Sequence, residues 1–110
     1  MDIKSFKNKL NSSILEILEE YDFKEVQKIM EENDYKLFHS KEGMKIFSID
    51  EVKSMVLSLL LAERKRALKE FNNKKNFPIF AETGRFRVRI NFDGSMVLSY
   101  VPVQYSTEEW

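Results

Sequence analysis

The chain has 110 residues, enough for one folded domain, and 43% of them are hydrophobic, which is typical of a protein with a packed core. Its 18 basic and 18 acidic side chains balance, so the overall charge gives no indication of a nucleic-acid partner. The absence of cysteine excludes disulfide bonds and thiolate metal sites, and it is typical of the reducing cytosol. We predict a single domain over 1–110, with an additional N-terminal amphipathic helix over 1–20 and a tail over 104–110.

The charges are unevenly distributed along the chain. Residues 1–34 carry five basic and nine acidic side chains, residues 35–75 carry ten and five, and residues 76–110 carry three and four. The protein should therefore have an acidic end and a basic middle.

The apolar runs of the chain are short. The longest, Met55–Ala62, is interrupted by a serine and is far shorter than the roughly 20 residues that a membrane-spanning helix needs. The first ten residues also lack the apolar core of a signal peptide. We therefore predict a soluble cytoplasmic protein with no membrane partner.

Two amphipathic helices are predicted at the start of the chain. Apolar residues recur at helical spacing over 2–20, which predicts the first helix. Asp22 is followed by Glu25 three residues later, a capping-box pattern that predicts a second helix over 23–32. The apolar stripe of the first helix consists of Ile3, Phe6, Leu10, Ile14, Ile17, Leu18 and Tyr21.

The middle of the chain predicts a short hairpin and then the longest helix. Two extended segments flank a glycine-containing turn within 35–47. Ser48 and Glu51 form a capping box that begins a third helix over 49–72. Leu57 and Leu61 widen the apolar stripe of this helix, which predicts contacts on two sides: with the sheet, and with another helix or a second copy of the protein. We therefore predict a homo-oligomer through the third helix.

The last third of the chain predicts antiparallel strands. Phe77–Phe80 contains a proline and is typical of an edge segment, while apolar and polar residues alternate over Thr83–Val103. A two-residue turn would mix the two faces, whereas a three-residue loop over Phe92–Gly94 keeps one face apolar. The order α-α-β-β-α-β-β predicts an α+β fold with the helices on one face of an antiparallel sheet. The predicted cross-strand pairs are Phe86 with Tyr100, Val88 with Leu98 and Ile90 with Met96.

One part of the chain resembles a known family. Tyr21–Met30 is similar to the opening of a group of small phage proteins of no established activity, which begin with Phe-Asp-Phe-Glu-Lys-Val-His-Lys-Val-Met. Phe47–Val52 matches the capped helix start of that family, and Thr83–Val88 is similar to its glycine-containing strand. The resemblance extends over Tyr21–Pro102, with Gln27 in place of the family's histidine and with an extra first helix. It implies a phage protein that acts in the host cytoplasm, and it supplies no functional residues.

The strongest candidate site is a row of three arginines. Arg85, Arg87 and Arg89 alternate with apolar residues, so their guanidinium groups should lie about 7 Å apart on one strand face, where guanidinium groups can bind phosphates with paired hydrogen bonds. Thr83 and the glycine after it would add a hydroxyl group and backbone donors, and Lys75 would close the site. The alternative is an exposed strand face that pairs with surface carboxylates or with an acidic protein partner.

The remaining polar groups predict no catalytic, metal or cofactor site. His39 is the only histidine, and it has neither a cysteine nor a carboxylate at ligand spacing. The serines lack the context of a nucleophile elbow, so we predict a protein that is not an enzyme. A second basic cluster over 63–69 would form a polyanion groove if it lay beside the arginine row, and otherwise it is an exposed helix face.

These features predict a function in stoichiometric binding. The first hypothesis is a small phage protein that counters host defence by sequestering a nucleotide-derived immune signal, in a pocket at a subunit interface built by the third helix. The second is an inhibitor that binds a host defence effector such as a CRISPR nuclease. The third is direct binding of nucleic acid. The phage role depends on the resemblance, and the ligand class depends on the arginine row.

Overall fold

A computed structural model of the protein describes residues 1–29, 48–83 and 86–101. Three predicted features lie outside the described residues: the hairpin within 35–47, Arg85 and the tail over 104–110. In the described part the chain forms three helices and one antiparallel sheet, which confirms the predicted α+β class. The helices are α1 (Ile3–Glu20), α2 (Phe23–Ile29) and α3 (Ile49–Glu70), and the strands are β1 (Ile79–Thr83), β2 (Phe86–Ile90) and β3 (Met96–Tyr100).

The start of each helix is capped by a side chain. The Asp2 carboxylate accepts the Ser5 N–H at 2.8 Å at the start of α1, and the Asp22 carboxylate accepts the Glu25 N–H at 3.0 Å at the start of α2. At the start of α3, Ser48 and Glu51 form a complete capping box, in which each side chain accepts the other residue's backbone N–H. Both predicted capping patterns are therefore confirmed.

The three strands form a sheet in the order β1-β2-β3, and every predicted pair between β2 and β3 is confirmed. Asn91 N–H donates to the Ser95 carbonyl at 2.9 Å, so the loop between them has the three residues that the alternation requires. Gly94 has a φ of +92°, the left-handed conformation that glycine adopts without steric cost. The predicted edge segment Phe77–Phe80 leads into β1. The five residues of β1 pair with β2 along one side of β1.

Side-chain hydrogen bonds hold the hairpin loop together. The Asp93 carboxylate accepts the Ser95 N–H at 2.8 Å and the Ser95 hydroxyl at 2.6 Å. The Asn91 amide in turn donates to the Ser95 hydroxyl oxygen at 2.9 Å. The loop also packs against α1, where the buried Ser13 hydroxyl donates to the Gly94 carbonyl at 3.3 Å.

We expect Asp93 to make folding sensitive to acid. The hydrogen bonds from Ser95 lower the pKa of the Asp93 carboxyl below its ordinary value of 3.8. A pKa that is lower in the folded than in the unfolded chain adds stability above pH 3.8, and that stability is lost as the pH falls through the folded-state pKa. Urea midpoints measured from neutral pH to strong acid should therefore fall less steeply for Asp93→Asn than for the parent. Equal slopes for the two chains would contradict this role of the carboxylate.

The core lies between the helices and one face of the sheet. α1 and α3 run antiparallel, since the ring of Phe6 near the start of α1 packs at 4.7 Å on that of Phe71, which directly follows the end of α3. Phe6 also contacts the rings of Phe77 and Phe92, so one aromatic cluster joins α1, α3, the chain before β1 and the hairpin loop. α1 is thus an integral part of the fold: the side chains it buries in the core are Phe6, Leu10, Ser13 and Ile14.

The helices of the described part of the chain include none that is both long enough and apolar enough to cross a membrane.

Candidate functional site: the outer face of the sheet

The sheet has one face covered by helices and one face in solvent. Strand β2 shows this alternation, since Phe86, Val88 and Ile90 are buried while Arg87 and Arg89 are exposed. The inner face packs on α1 and α3. We call the opposite side the outer face, and all six of its described side chains are exposed. They are Phe80 and Glu82 on β1, Arg87 and Arg89 on β2, and Val97 and Ser99 on β3.

The strand register arranges the outer face in two rows that run across the sheet. In the first row Arg89 lies between Phe80 on β1 and Val97 on β3. Neighbouring strands are about 4.8 Å apart, so the three side chains of a row are within reach of one another. A guanidinium group therefore lies beside an exposed aromatic ring in this row. The second row consists of Glu82, Arg87 and Ser99.

An ion pair occupies the second row. The Arg87 Nε atom lies 2.7 Å from the Glu82 Oε1 atom, and both side chains are largely exposed. An exposed pair of this kind contributes about 0–1 kcal/mol, so a phosphate group can compete with the carboxylate for the guanidinium. This pair bears out in part the alternative prediction that surface carboxylates neutralise the arginine row. The carboxylate comes from the neighbouring strand, and not from the acidic first helix.

Arg89 differs from Arg87 in its surroundings. In the described part of the chain it has no ion-pair partner. Its cross-strand neighbour Phe80 leaves 65% of its surface exposed, the same exposed fraction as Met1 at the chain's start. Val97, the other cross-strand neighbour of Arg89, is also an exposed hydrophobic residue. Arg89 thus lies between two exposed apolar side chains, one of them aromatic.

Sequence reasoning missed Phe80 as a site residue. The segment Phe77–Phe80 predicted only an extended edge, and no strand partner was assigned to it. The register of β1 against β2 pairs Phe80 with Arg89 and so places its ring on the outer face. The sequence of β1, IFAET, begins with two adjacent apolar residues, so it carries no alternation from which the face of Phe80 could be assigned without the partner strand.

Two of the predicted site residues lie elsewhere. Thr83 pairs with Phe86, so its side chain lies on the inner side of the sheet, away from Arg87 and Arg89. Lys75 lies in the 3₁₀ turn Lys74–Asn76 that precedes β1. Thr83 ends β1 and Lys75 precedes its start, so the two lie at opposite ends of a strand that spans about 13 Å and do not converge on one ligand group.

The basic cluster of the third helix does not extend the arginine face. Since α3 packs on the inner face, the sheet separates its charges from Arg87 and Arg89. Arg64 donates from its Nε atom to the Asn11 side chain at 2.8 Å, and Arg66 pairs with Glu63 at 3.2 Å. The condition for a groove of joined basic surfaces is therefore not met, which leaves the alternative of a helix face separate from the arginines. For the same reason, a subunit interface built by α3 cannot enclose the outer-face arginines.

The outer face forms an open depression of about 200 Å³ around Phe80, Arg87 and Arg89. Ligand sites that enclose a small molecule are larger, about 300–1,000 Å³. The depression can therefore accommodate one base with one phosphate, or consecutive nucleotides that pass over the surface. Its components are a ring face for stacking and guanidinium groups that bind phosphate.

A larger depression, about 380 Å³, lies between α1 and the start of β3. Glu16 and Glu20 line it together with Lys9 and Tyr21, and burial raises the pKa of the Tyr21 hydroxyl. Two carboxylates repel an anionic ligand, so this depression does not suit phosphate. In the described residues no group of three or more His, Cys, Asp or Glu side chains is arranged to hold a metal ion.

No protein-family model matches the chain, and no curated protein or solved structure matches it either.

Proposed function

We propose that this protein binds a nucleotide-derived ligand on the outer face of its sheet and acts by stoichiometric sequestration. The observation that carries the proposal is the row in which the exposed ring of Phe80 lies beside Arg89. A nucleotide offers a planar base and a phosphate at a separation that matches neighbouring side chains. Stacking and phosphate binding are the two interactions that these residue types make well.

In the proposed complex the base stacks on Phe80 and the phosphate binds Arg89. Stacking of a base on an aromatic side chain contributes about 1–3 kcal/mol, and a bidentate guanidinium–phosphate contact adds charge-assisted hydrogen bonds. A second phosphate binds Arg87, about 7 Å along the strand, after it displaces Glu82. A ligand with two phosphates thus gains more from this face than a mononucleotide does.

The biological role in this proposal is anti-defence. The resemblance of Tyr21–Met30 to small phage proteins supports a phage origin, and a phage protein that binds a nucleotide without consuming it can lower the concentration of a host signal. Cyclic oligonucleotides and ADP-ribose derivatives are the chemical classes that combine bases with two or more phosphates. Occupancy of the protein, and not turnover, then sets the effect.

A second candidate function is binding of single-stranded nucleic acid. The small volume of the depression favours it, because a strand that passes over the face needs no enclosing pocket. Such binding would weaken steeply with salt as phosphates release their counterions. A sequestered small nucleotide, which presents fewer phosphates, would show a much smaller salt dependence.

The test is calorimetric titration of the protein with cyclic dinucleotides, cyclic trinucleotides, ADP-ribose and a short single-stranded oligonucleotide. For a ligand that binds the parent, we expect Phe80→Leu and Arg89→Gln each to weaken binding by about tenfold or more, since each removes roughly 1–3 kcal/mol of interaction. Phe80→Trp should retain binding, because it keeps the aromatic face. Titration at two salt concentrations separates the two candidate functions.

Arg66→Gln on α3 is the matched control, because it removes the same charge from the other side of the sheet. It should bind like the parent. The proposal fails if no ligand of the panel binds, or if Arg89→Gln and Arg66→Gln lower the affinity equally. Thermal melting of each variant shows whether the fold is intact.

A further inference from the structure

We infer that the outer side of the helical layer is the contact surface for a second copy of this chain, centred on Leu15 and Leu61. This surface lies on the other side of the molecule from the outer face of the sheet, and the inference does not depend on the proposed function. Its basis is a pair of exposed leucines between two regions of opposite charge.

The packing of α1 on α3 places the two leucines at the same level. The Asn11 side chain of α1 accepts the Arg64 Nε–H of α3 at 2.8 Å. Leu15 lies one turn after Asn11, and Leu61 lies about one turn before Arg64. Because the helices are antiparallel, these two steps lead in the same direction, so Leu15 and Leu61 lie at the same level. The two side chains are 60% and 50% exposed, and the half-buried Leu57 lies one turn further along α3.

Charges on the helical layer are segregated on either side of these leucines. The basic residues of α1 precede its acidic residues along the chain, whereas the acidic first turn of α3 precedes its basic residues. Since the helices are antiparallel, the basic residues of both helices lie at one end of the helical layer and the acidic residues lie at the other. The two ends are about 18 Å apart. The basic end consists of Lys4, Lys7, Arg64, Lys65 and Lys69, and the acidic end consists of Glu19, Asp50 and Glu51, with Lys53 beside them.

This layout does not stabilise α1 itself. A helix is favoured by acidic side chains in its first turn and basic ones in its last turn, and α1 has neither. The Asp2 cap is the one acidic group at its start. A partner with the opposite arrangement would bring charges of opposite sign together.

A second copy of the chain has that arrangement. A two-fold axis through the leucines sets the basic end of each copy against the acidic end of the other, and it brings Leu15 and Leu61 of one copy onto the same residues of its partner. Such an interface has an apolar centre with charged surroundings, as protein interfaces commonly do. It also leaves both outer faces of the two sheets free.

The first test measures the mass of the full chain by sedimentation equilibrium over a range of concentrations. We expect the parent to approach twice its 13.1 kDa. Leu61→Glu and Leu15→Glu should each raise the dissociation constant of the dimer by about tenfold or more, because a charge at the centre of an interface has no partner there. Ala62→Glu is the matched control: it adds the same charge at an exposed neighbour that points away from the seam, and it should leave the dimer intact.

The second test reverses one charged end at a time. Lys4→Glu, Lys7→Glu and Lys65→Glu together make both ends acidic, and Glu19→Lys with Asp50→Lys makes both ends basic. Each charge-reversed variant should be monomeric alone, whereas an equimolar mixture should form a heterodimer, since every acidic end then meets a basic one. Circular dichroism verifies that each variant is folded.

A parent that stays monomeric at every concentration would overturn the inference. A dimer that survives Leu61→Glu and Leu15→Glu would also overturn it. The same holds if the charge-reversed variants fail to associate when mixed. If the mixture associates and each variant alone does not, the acidic end of one copy must contact the basic end of the other. No other partner that covers Leu15 and Leu61 explains that result.

Discussion

Gly94→Ala should be among the most destabilising single substitutions in this protein. A Cβ atom at this position would lie 2.8 Å from the Phe6 carbonyl oxygen and 2.9 Å from the Lys9 Cβ atom, so the hairpin loop would have to move away from α1. The φ of +92° adds backbone strain for any residue that has a side chain. We expect a loss of about 3 kcal/mol, a large part of the stability of a small domain, measured by urea unfolding at neutral pH.

Gly94→Asn separates the two causes of that loss. Asparagine adopts a positive φ more readily than alanine does, but its Cβ atom meets the same backbone oxygen. If close packing on α1 dominates, Asn will destabilise at least as much as Ala. A clearly milder effect of Asn would show that the strain of the loop, and not its contact with α1, makes glycine necessary. A loss below about 0.5 kcal/mol for Gly94→Ala would contradict the loop geometry itself.

Phe6→Ala should cost about 3–5 kcal/mol, the range for removal of a fully buried aromatic side chain. The ring of Phe6 is 0% exposed and contacts the rings of Phe71, Phe77 and Phe92. Its removal leaves a cavity at the junction of α1, α3 and the hairpin loop. Urea or thermal unfolding of the variant should show a much lower midpoint at an unchanged pH.

Phe80→Ala is the matched control for this prediction. It deletes the same atoms from a ring that is 65% exposed, so it should change stability by less than about 1 kcal/mol. The two variants thus distinguish the core from the outer face: Phe6→Ala should lower stability strongly, and Phe80→Ala should leave it nearly unchanged. Equal losses of stability in the two variants would contradict the assignment of Phe80 to an exposed face.

The fold was predictable wherever neighbouring residues determine the structure. The alternation of Phe86, Val88 and Ile90 left one acceptable loop length, so the register of β2 against β3 followed from local pattern and turn geometry. Ser48 and Glu51 fixed the start of α3 in the same way, because a capping box involves residues only three apart.

The site was less predictable because it depends on contacts between distant segments. Placing Phe80 beside Arg89 requires the register between β1 and β2, and the sequence prediction assigned no partner strand to Phe77–Phe80. Thr83 was assigned to the arginines through its position in the sequence, yet strand alternation puts it on the other side. Tertiary packing likewise determines which side of the sheet α3 covers, and this packing keeps the two basic clusters apart.

The hydrogen bond from Ser13 to Gly94 joins residues that are 81 positions apart in the chain. The first helix is therefore synthesised long before the loop that covers part of it. Until that loop has left the ribosome, the apolar side of α1 that includes Phe6 lacks its native neighbours from the hairpin. Contacts so distant in sequence also slow folding, because a long stretch of chain must be ordered before they form. The newly made chain thus completes its core only after the hairpin loop has emerged, and until then the apolar side chains of α1 can misassociate.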